Sequence, residues 1–161
     1  MLNHKRIILV GAGASGKDHM RKVLESRGFK YATSYTTRPA RPGEVHGVDY
    51  FFLTEEECQQ MKDTDQFYEV IDFNGWSYGT SLLQFYNDDI FIMTPSGLEH
   101  VNTEERKQSF VIYFDIAEDI RKTRLENRIM PGHSVEARLE ADRILFEGFT
   151  DYDLRITNPD F

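Results

Sequence analysis

A single cysteine, Cys58, stands among 161 residues. That excludes an internal disulfide and a cysteine-based metal site, and leaves Cys58 to read as a half-buried small residue. Long apolar runs are missing too. No stretch nears the ~18 residues of a membrane span, and glycine interrupts the apolar stretch near the N-terminus too early for a signal sequence. Basic charge is scarce overall, and a net charge of −8 disfavours non-specific binding to long nucleic acid, whose phosphates need an excess of Lys and Arg. The chain contains no internal repeat, linker or low-complexity segment. Its length fits one soluble domain and leaves no room for a second full one.

What charge there is lies unevenly. Residues 1–50 carry nine Lys or Arg against four acids, a net of +5, which leaves −13 for the remainder. A small phosphorylated ligand at a local positive site fits that distribution better than a polymer. Within this basic part, Ile7 to Val10 suits a buried strand, and Gly11, Ala12, Gly13, Ala14, Ser15, Gly16 and Lys17 spell GxxxxGK. Strand, glycine-rich loop and helix make a P-loop: backbone N–H groups turn around an anion, the helix N-terminus faces it, and the lysine adds a full charge. The pattern asks next for Ser or Thr as a magnesium ligand, and here the residue is Asp18. A carboxylate is a hard oxygen ligand, so Asp18 is a candidate for the metal itself.

The rest of the chain alternates strands and helices. Lys17 to Arg27 predicts a helix stopped by Gly28, and Phe29 to Ser34 a second strand. Thr36 to Tyr50 is a loop stiffened by two prolines, carrying Arg38 and Arg41. Such arginines suit bidentate capture of a phosphate, or are simply solvated charges. Tyr50 to Leu53 reads as a short strand. Thr54 and Glu57 form a capping-box pattern for a helix over Glu55 to Lys62. Phe67 to Phe73 alternates, and Asn74-Gly75 turns it into Trp76 to Tyr78 as a hairpin. Glu69 lies within it between apolar neighbours, and by the alternation alone reads as an outward-facing strand acid. One or two helical turns over Ser81 to Tyr86 precede a strand at Ile90 to Met93, a short helix at Gly97 to Asn102 and a strand at Phe110 to Phe114. Asp115 to Arg128 follows as a helix, Ser134 caps a long amphipathic one, and Asp153 to Thr157 is a last strand. This order predicts an α/β fold: a parallel sheet with helices on both faces, interrupted by a small antiparallel unit.

With those residues in view, the chain resembles the guanylate kinase family over nearly its whole length. The resemblance is carried by SYTTRPARPGEVHGVDYFF (Ser34 to Phe52), FYEVIDFNGWSYGT (Phe67 to Thr80), RLENR (Arg124 to Arg128) and ARL (Ala137 to Leu139). It implies a three-layer P-loop NTPase-type fold with a core of about 1–33, 88–128 and 150–161. An acceptor-binding insert would span about 34–87 and a helical lid about 129–149. It also implies an ATP-dependent nucleoside monophosphate kinase, with Mg2+ accompanying ATP, GMP or dGMP as first acceptor, and a cytoplasmic setting. So short a chain fits a compact genome such as a phage's, in which case the cytoplasm would be the host's.

By the same resemblance, Arg38, Arg41, Tyr50 and Tyr78 hold the acceptor phosphate. Ser34, Glu69 and Thr80 read the purine: a carboxylate accepts from the adjacent N1-H and amine of guanine, and the hydroxyls donate to its carbonyl. Lys17 bridges the donor phosphates, Arg128 and Arg138 close over the transferring group, and Arg124 and Asn158 lie near the donor adenine. The chain departs from the family where DxDxQG is replaced by IMTPSG, Ile92 to Gly97. There Thr94 takes the place of an acceptor-binding aspartate and Ser96 that of a glutamine. Thr94 therefore motivates a different acceptor, such as another or a modified deoxynucleotide, a pyrimidine mononucleotide or a phosphorylated sugar. A non-catalytic module that grips a phosphopeptide is the reading from another class. His46 and His133 read as surface residues rather than chemical ones.

Overall fold

The computed structural model describes residues 5–128 and 134–161. The first part of the expected lid, 129–133 with His133, lies outside them. β1 (Arg6–Gly11) runs through the centre of a parallel sheet in the order β6-β1-β7-β8, its neighbours being β6 (Ile90–Ile92) and β7 (Ser109–Phe114), with β8 (Leu154–Ile156) at the edge. Alternation then divides the strand between two faces. Ile8 and Val10 pack with Phe85, Met93 and Leu98, and Phe146 and Phe149 close over them. Leu9 faces the opposite way, with Ile112, Phe114, Met20, Leu24 and Ile120. Helices therefore cover both faces, giving the three layers expected. Each fully buried Ile, Leu or Phe of this sheet contributes about 1.5–3 kcal/mol.

α1 (Lys17–Ser26) ends where expected, with Gly28 at φ +94° turning the chain. The strand expected over Phe29 to Ser34 does not form. Only Tyr31 bridges to Ile90, because β6 is three residues long and its outer edge offers no further partner. The chain continues into a second sheet ordered β3-β2-β5-β4, made of β2 (Tyr35–Thr36), β3 (Phe51–Phe52), β4 (Phe67–Phe73) and β5 (Trp76–Ser81). Asn74 and Gly75 both take positive φ, at 52° and 82°, as a tight hairpin turn requires. α2 (Glu55–Asp63) carries both halves of its capping box, and its Cys58 is fully buried rather than half-buried.

α3 (Leu82–Asn87) follows, capped by Ser81. The helix expected at Gly97 to Asn102 starts earlier, as α4 (Pro95–Leu98), because the Thr94 side chain accepts from the Gly97 N–H and Pro95 is preorganised for a first turn. A second short helix, α5 (Thr103–Lys107), is capped by Asn102. α6 (Glu118–Glu126) begins three residues later than expected, after Asp115 N–H has bonded to β8 at the Ile156 carbonyl. α7 (Val135–Phe146) starts at Ser134, whose hydroxyl accepts from Ala137 N–H, and ends before Phe149. No helix among the described residues is long and apolar enough to cross a membrane.

Candidate active site

β1 delivers the chain into the glycine-rich loop at the C-terminal edge of the parallel sheet, where α/β folds bind ligands. Gly16 adopts φ +95° and has no side-chain cap to offer α1, so the first N–H groups of that helix are left for a ligand. The Lys17 ammonium donates to the Gly11 and Ala12 carbonyls of its own loop. Burial, then the charge of Arg138, lowers its pKa to about 7. Arg124 ties the loop to the end of the chain, donating to the Ala14 and Pro159 carbonyls, both at 3.0 Å. Phe161 fits against the loop so closely that a Cβ on Gly16 would come within 2.7 Å of its ring.

Opposite lies the second sheet with its arginine-bearing loop. Arg38 is 4% exposed. Its fork is spent on Glu44, with contacts of 2.9 and 3.0 Å, while its guanidinium lies over the Tyr50 ring at 5.2 Å. Among the described residues Arg41 receives no such partner: its backbone N–H bonds to Glu44, but its buried Nε has none. Burial and the nearby Arg38 charge lower the Arg41 pKa, as expected of a cation short of an anion. Glu69 is buried, 5% exposed, between Thr80, which donates to its Oε1 at 2.8 Å, and Gly97 of α4, where a Cβ would lie 3.0 Å from Oε2. Burial raises its pKa to about 7 against that hydrogen bond. Thr94 is committed to the Gly97 N–H and lies 3.1 Å from the Ser96 hydroxyl.

Both halves open into one cleft of about 1000 Å³. Its wall brings together Gly11, Gly13, Ala14, Ser15, Gly16, Lys17 and Asp18 with Ser34, Arg38, Arg41, Tyr50, Glu69, Tyr78 and Thr94, and with Arg124, Arg128 and Arg138. Three of the residues singled out in the sequence lie off that wall. Ala12 turns into the core, Thr80 reaches the cleft only through Glu69, and Asn158 accepts from the Asp160 N–H. Glu44, Phe161 and Asp142 are cleft residues that the sequence did not single out. Glu44 was legible in principle, as the one acid between Arg38 and Asp49 in a tight loop. The other two depend on long-range packing.

Asp18 does not offer a free carboxylate. Its oxygens lie 2.7 Å from Arg21 and 3.2 Å from Lys22. Partial burial would raise its pKa, but the Arg21 hydrogen bond and charge, with Lys22 behind them, hold it below the ordinary value. Among the described residues no three His, Cys, Asp or Glu side chains converge as a metal cage. His46 is exposed, as expected, with Nδ1 accepting from Phe52 N–H.

The sequence and the fold have counterparts among known proteins. A sequence model described as guanylate kinase matches residues 3–160. The guanylate kinase of Syntrophus aciditrophicus is 31% identical over 160 residues, covering 94% of this chain and 77% of the relative. That of a serotype M3 strain of Streptococcus pyogenes is 44% identical over 79 residues, 47% of this chain and 37% of its own length. The crystal structure of guanylate kinase from Anaplasma phagocytophilum superposes with a TM-score of 0.72 at 20% identity, over 98% of this chain and 78% of the other. With the match running almost from end to end, and a P-loop facing an arginine loop inside it, the chain belongs to the guanylate kinase family.

Proposed function

We propose that this protein transfers the terminal phosphoryl group of ATP to GMP, yielding ADP and GDP. One observation carries the reading: cations from two separate elements, Lys17 of the P-loop and Arg41 of the facing loop, share one cleft, and neither side chain forms an ion pair among the described residues. Arg128, whose pKa is lowered by burial and by Arg138, joins them. Positive groups crowded in this way favour the binding of polyanions between them. Two phosphorylated substrates, head to head, supply those anions.

On this reading the loop N–H groups and Lys17 hold the donor phosphates, and Arg124 with the Pro159–Phe161 segment backs the donor base. Arg38, Arg41, Tyr50 and Tyr78 receive the acceptor phosphate, with Glu44 orienting Arg38. Glu69 accepts from the guanine N1-H and amine, Thr80 fixes its carboxylate, and Ser34 donates to the guanine carbonyl. Arg128 and Arg138 neutralise the phosphoryl group in transit. Phosphoryl transfer asks mainly for alignment, charge neutralisation and exclusion of water, and these residues supply all three. Magnesium belongs to the donor, which enters as its magnesium complex. Asp18, on the first turn after the loop, is the residue that would border the ion, but its oxygens already face Arg21 and Lys22, so it would serve as a ligand only by giving up those pairs. A cytoplasmic setting fits this reading.

The test is an ATP-coupled assay across GMP, dGMP, AMP, dTMP, dCMP and UMP. GMP and dGMP are expected to turn over and Lys17→Ala to abolish turnover. Inert guanine nucleotides beside another active acceptor would move the specificity to Thr94, whose hydroxyl is already engaged where the family has a carboxylate. Absence of ATP binding by calorimetry would leave only the phosphopeptide module.

A further inference from the structure

Asp142 is an acid that the amphipathic pattern of α7 does not call for, yet it is 2% exposed. Its surroundings are specific. Oδ2 accepts from the backbone N–H of Gly13 in the P-loop at 3.1 Å, across 129 residues of sequence. Arg138, one turn earlier on the same face of α7, has its Nε 3.4 Å from the carboxylate, and Arg121 of α6 approaches to 3.5 Å. The other flank of the Arg138 guanidinium lies over the Phe73 ring of the acceptor hairpin, 5.1 Å from its centre. A Cβ on Gly13 would sit 3.1 Å from the Arg138 guanidinium and 3.2 Å from Oδ2, so both side chains pack tightly against the bare glycine.

A buried carboxylate is tolerated only with cations and donors around it. Here those partners come from the loop that would hold the donor, from α6, and from the arginine proposed to cover the phosphoryl group. The carboxylate is thereby a joint among three elements, and of its partners among the described residues Arg138 also reaches the acceptor side, at Phe73. We infer that Asp142 is a positioning residue, which seats Arg138 over the phosphate end of the P-loop. A flexible side chain on a helix is then presented in one orientation before substrates arrive, as transition-state stabilisation requires.

The inference rests on the kinase reading, and the two fail separately: wild-type turnover decides the kinase reading, and a mutant cycle then decides Asp142. Asp142→Asn keeps the shape and an acceptor for the Gly13 N–H but removes the charge that holds Arg138. A 10- to 100-fold loss in kcat is expected, with acceptor KM within about twofold of wild type. In an Arg138→Ala background the same change should cost less than twofold. Asp142→Glu, which keeps the charge but moves it by one methylene, should lose part of kcat and also become silent in that background; it serves if Asp142→Asn does not fold. Additive losses in kcat would make Asp142 a general prop of α7 and overturn the proposal. Unchanged or higher kcat with tenfold tighter ATP binding would overturn it also, by showing that the carboxylate merely occupies a phosphate position.

Discussion

Replacing Glu69 by Gln separates what this buried acid does for binding from what it does to the fold. With a pKa of about 7 in the free protein, about nine in ten Glu69 side chains are ionised at pH 8 and about one in ten at pH 6. If the ionised form accepts from the guanine N1-H and amine, GMP binding weakens about tenfold between those pH values from this group alone. The phosphate of GMP titrates in the same range, near 6. That contribution is common to both proteins, so the ratio of wild-type to Glu69→Gln Kd, by calorimetry with GMP and no donor, isolates the carboxylate. The variant should bind about 10- to 100-fold more weakly at pH 8, the worth of a charge-assisted pair at about 1.5–3 kcal/mol. That difference should shrink toward pH 6. Parallel profiles would show that Glu69 does not read the base in its ionised form.

Stability should move the other way. A carboxyl held near 7 in the fold and near 4.5 in the unfolded chain binds its proton more tightly when folded. Its stabilising contribution is therefore complete below about pH 4.5 and lost as pH rises through about 7. At pH 8 the ionised carboxylate costs the fold about 3 kcal/mol relative to a side chain that is always neutral. Glu69→Gln should melt about 6–12 °C higher at pH 8 and converge with wild type near pH 4, a trade of stability for recognition. A variant that is weaker in binding and no more stable would mean that Glu69 is not held as tightly as its burial implies.

Gly97→Ala places a Cβ 3.0 Å from Glu69 Oε2, so acceptor KM should rise severalfold while Kd for ATP stays within about twofold, in steady-state and calorimetric measurements. Lys17, near 7 in the free protein, should be drawn back to the ammonium form by donor phosphates. ATP binding at pH 8 should then take up close to one proton, read from calorimetry in buffers of different ionisation heat, and Lys17→Met should abolish the uptake. Asp18→Ser should release Arg21 from its nearest partner and raise acceptor KM as well as alter the magnesium requirement. A change in magnesium dependence alone would mark Asp18 as a direct metal ligand.

The sequence was most legible where one local rule decides the backbone. GxxxxGK, the Thr54–Glu57 capping box and the Asn74-Gly75 turn all appear where their spacing puts them. Phe29 to Ser34 has strand composition, but a strand needs an edge to pair with, and β6 supplies one only at Ile90. The alternation of β4 placed Glu69 on a strand without showing what covers it. Its burial comes from α4, about thirty residues later, pressing Gly97 against the carboxylate. The sequence placed Arg38 on a constrained loop, but its pairing with Glu44 is a choice of rotamers. For Asp142 the only local signal was its i,i+4 spacing from Arg138, which suits an ordinary surface pair as well; its burial comes from partners in α6 and the P-loop.

The substitution at Asp18 fits this longer-range pattern better than a local one. A carboxylate beside donor phosphates would repel them unless its charge were offset, and Arg21 and Lys22 do that at 2.7 and 3.2 Å. Arg21 is itself 3% exposed, pairs with Glu25, lies over the Tyr31 ring at 4.6 Å and has Asp49 at 3.9 Å. Asp49 precedes Tyr50, on the acceptor side. A Ser or Thr at position 18 would leave Arg21 without its closest counter-charge, and burying an under-paired guanidinium is costly. The carboxylate thus connects the first turn of the P-loop helix, through one buried arginine, to the loop that would receive the acceptor phosphate, so that the two halves of the cleft share a charge network before either nucleotide is bound.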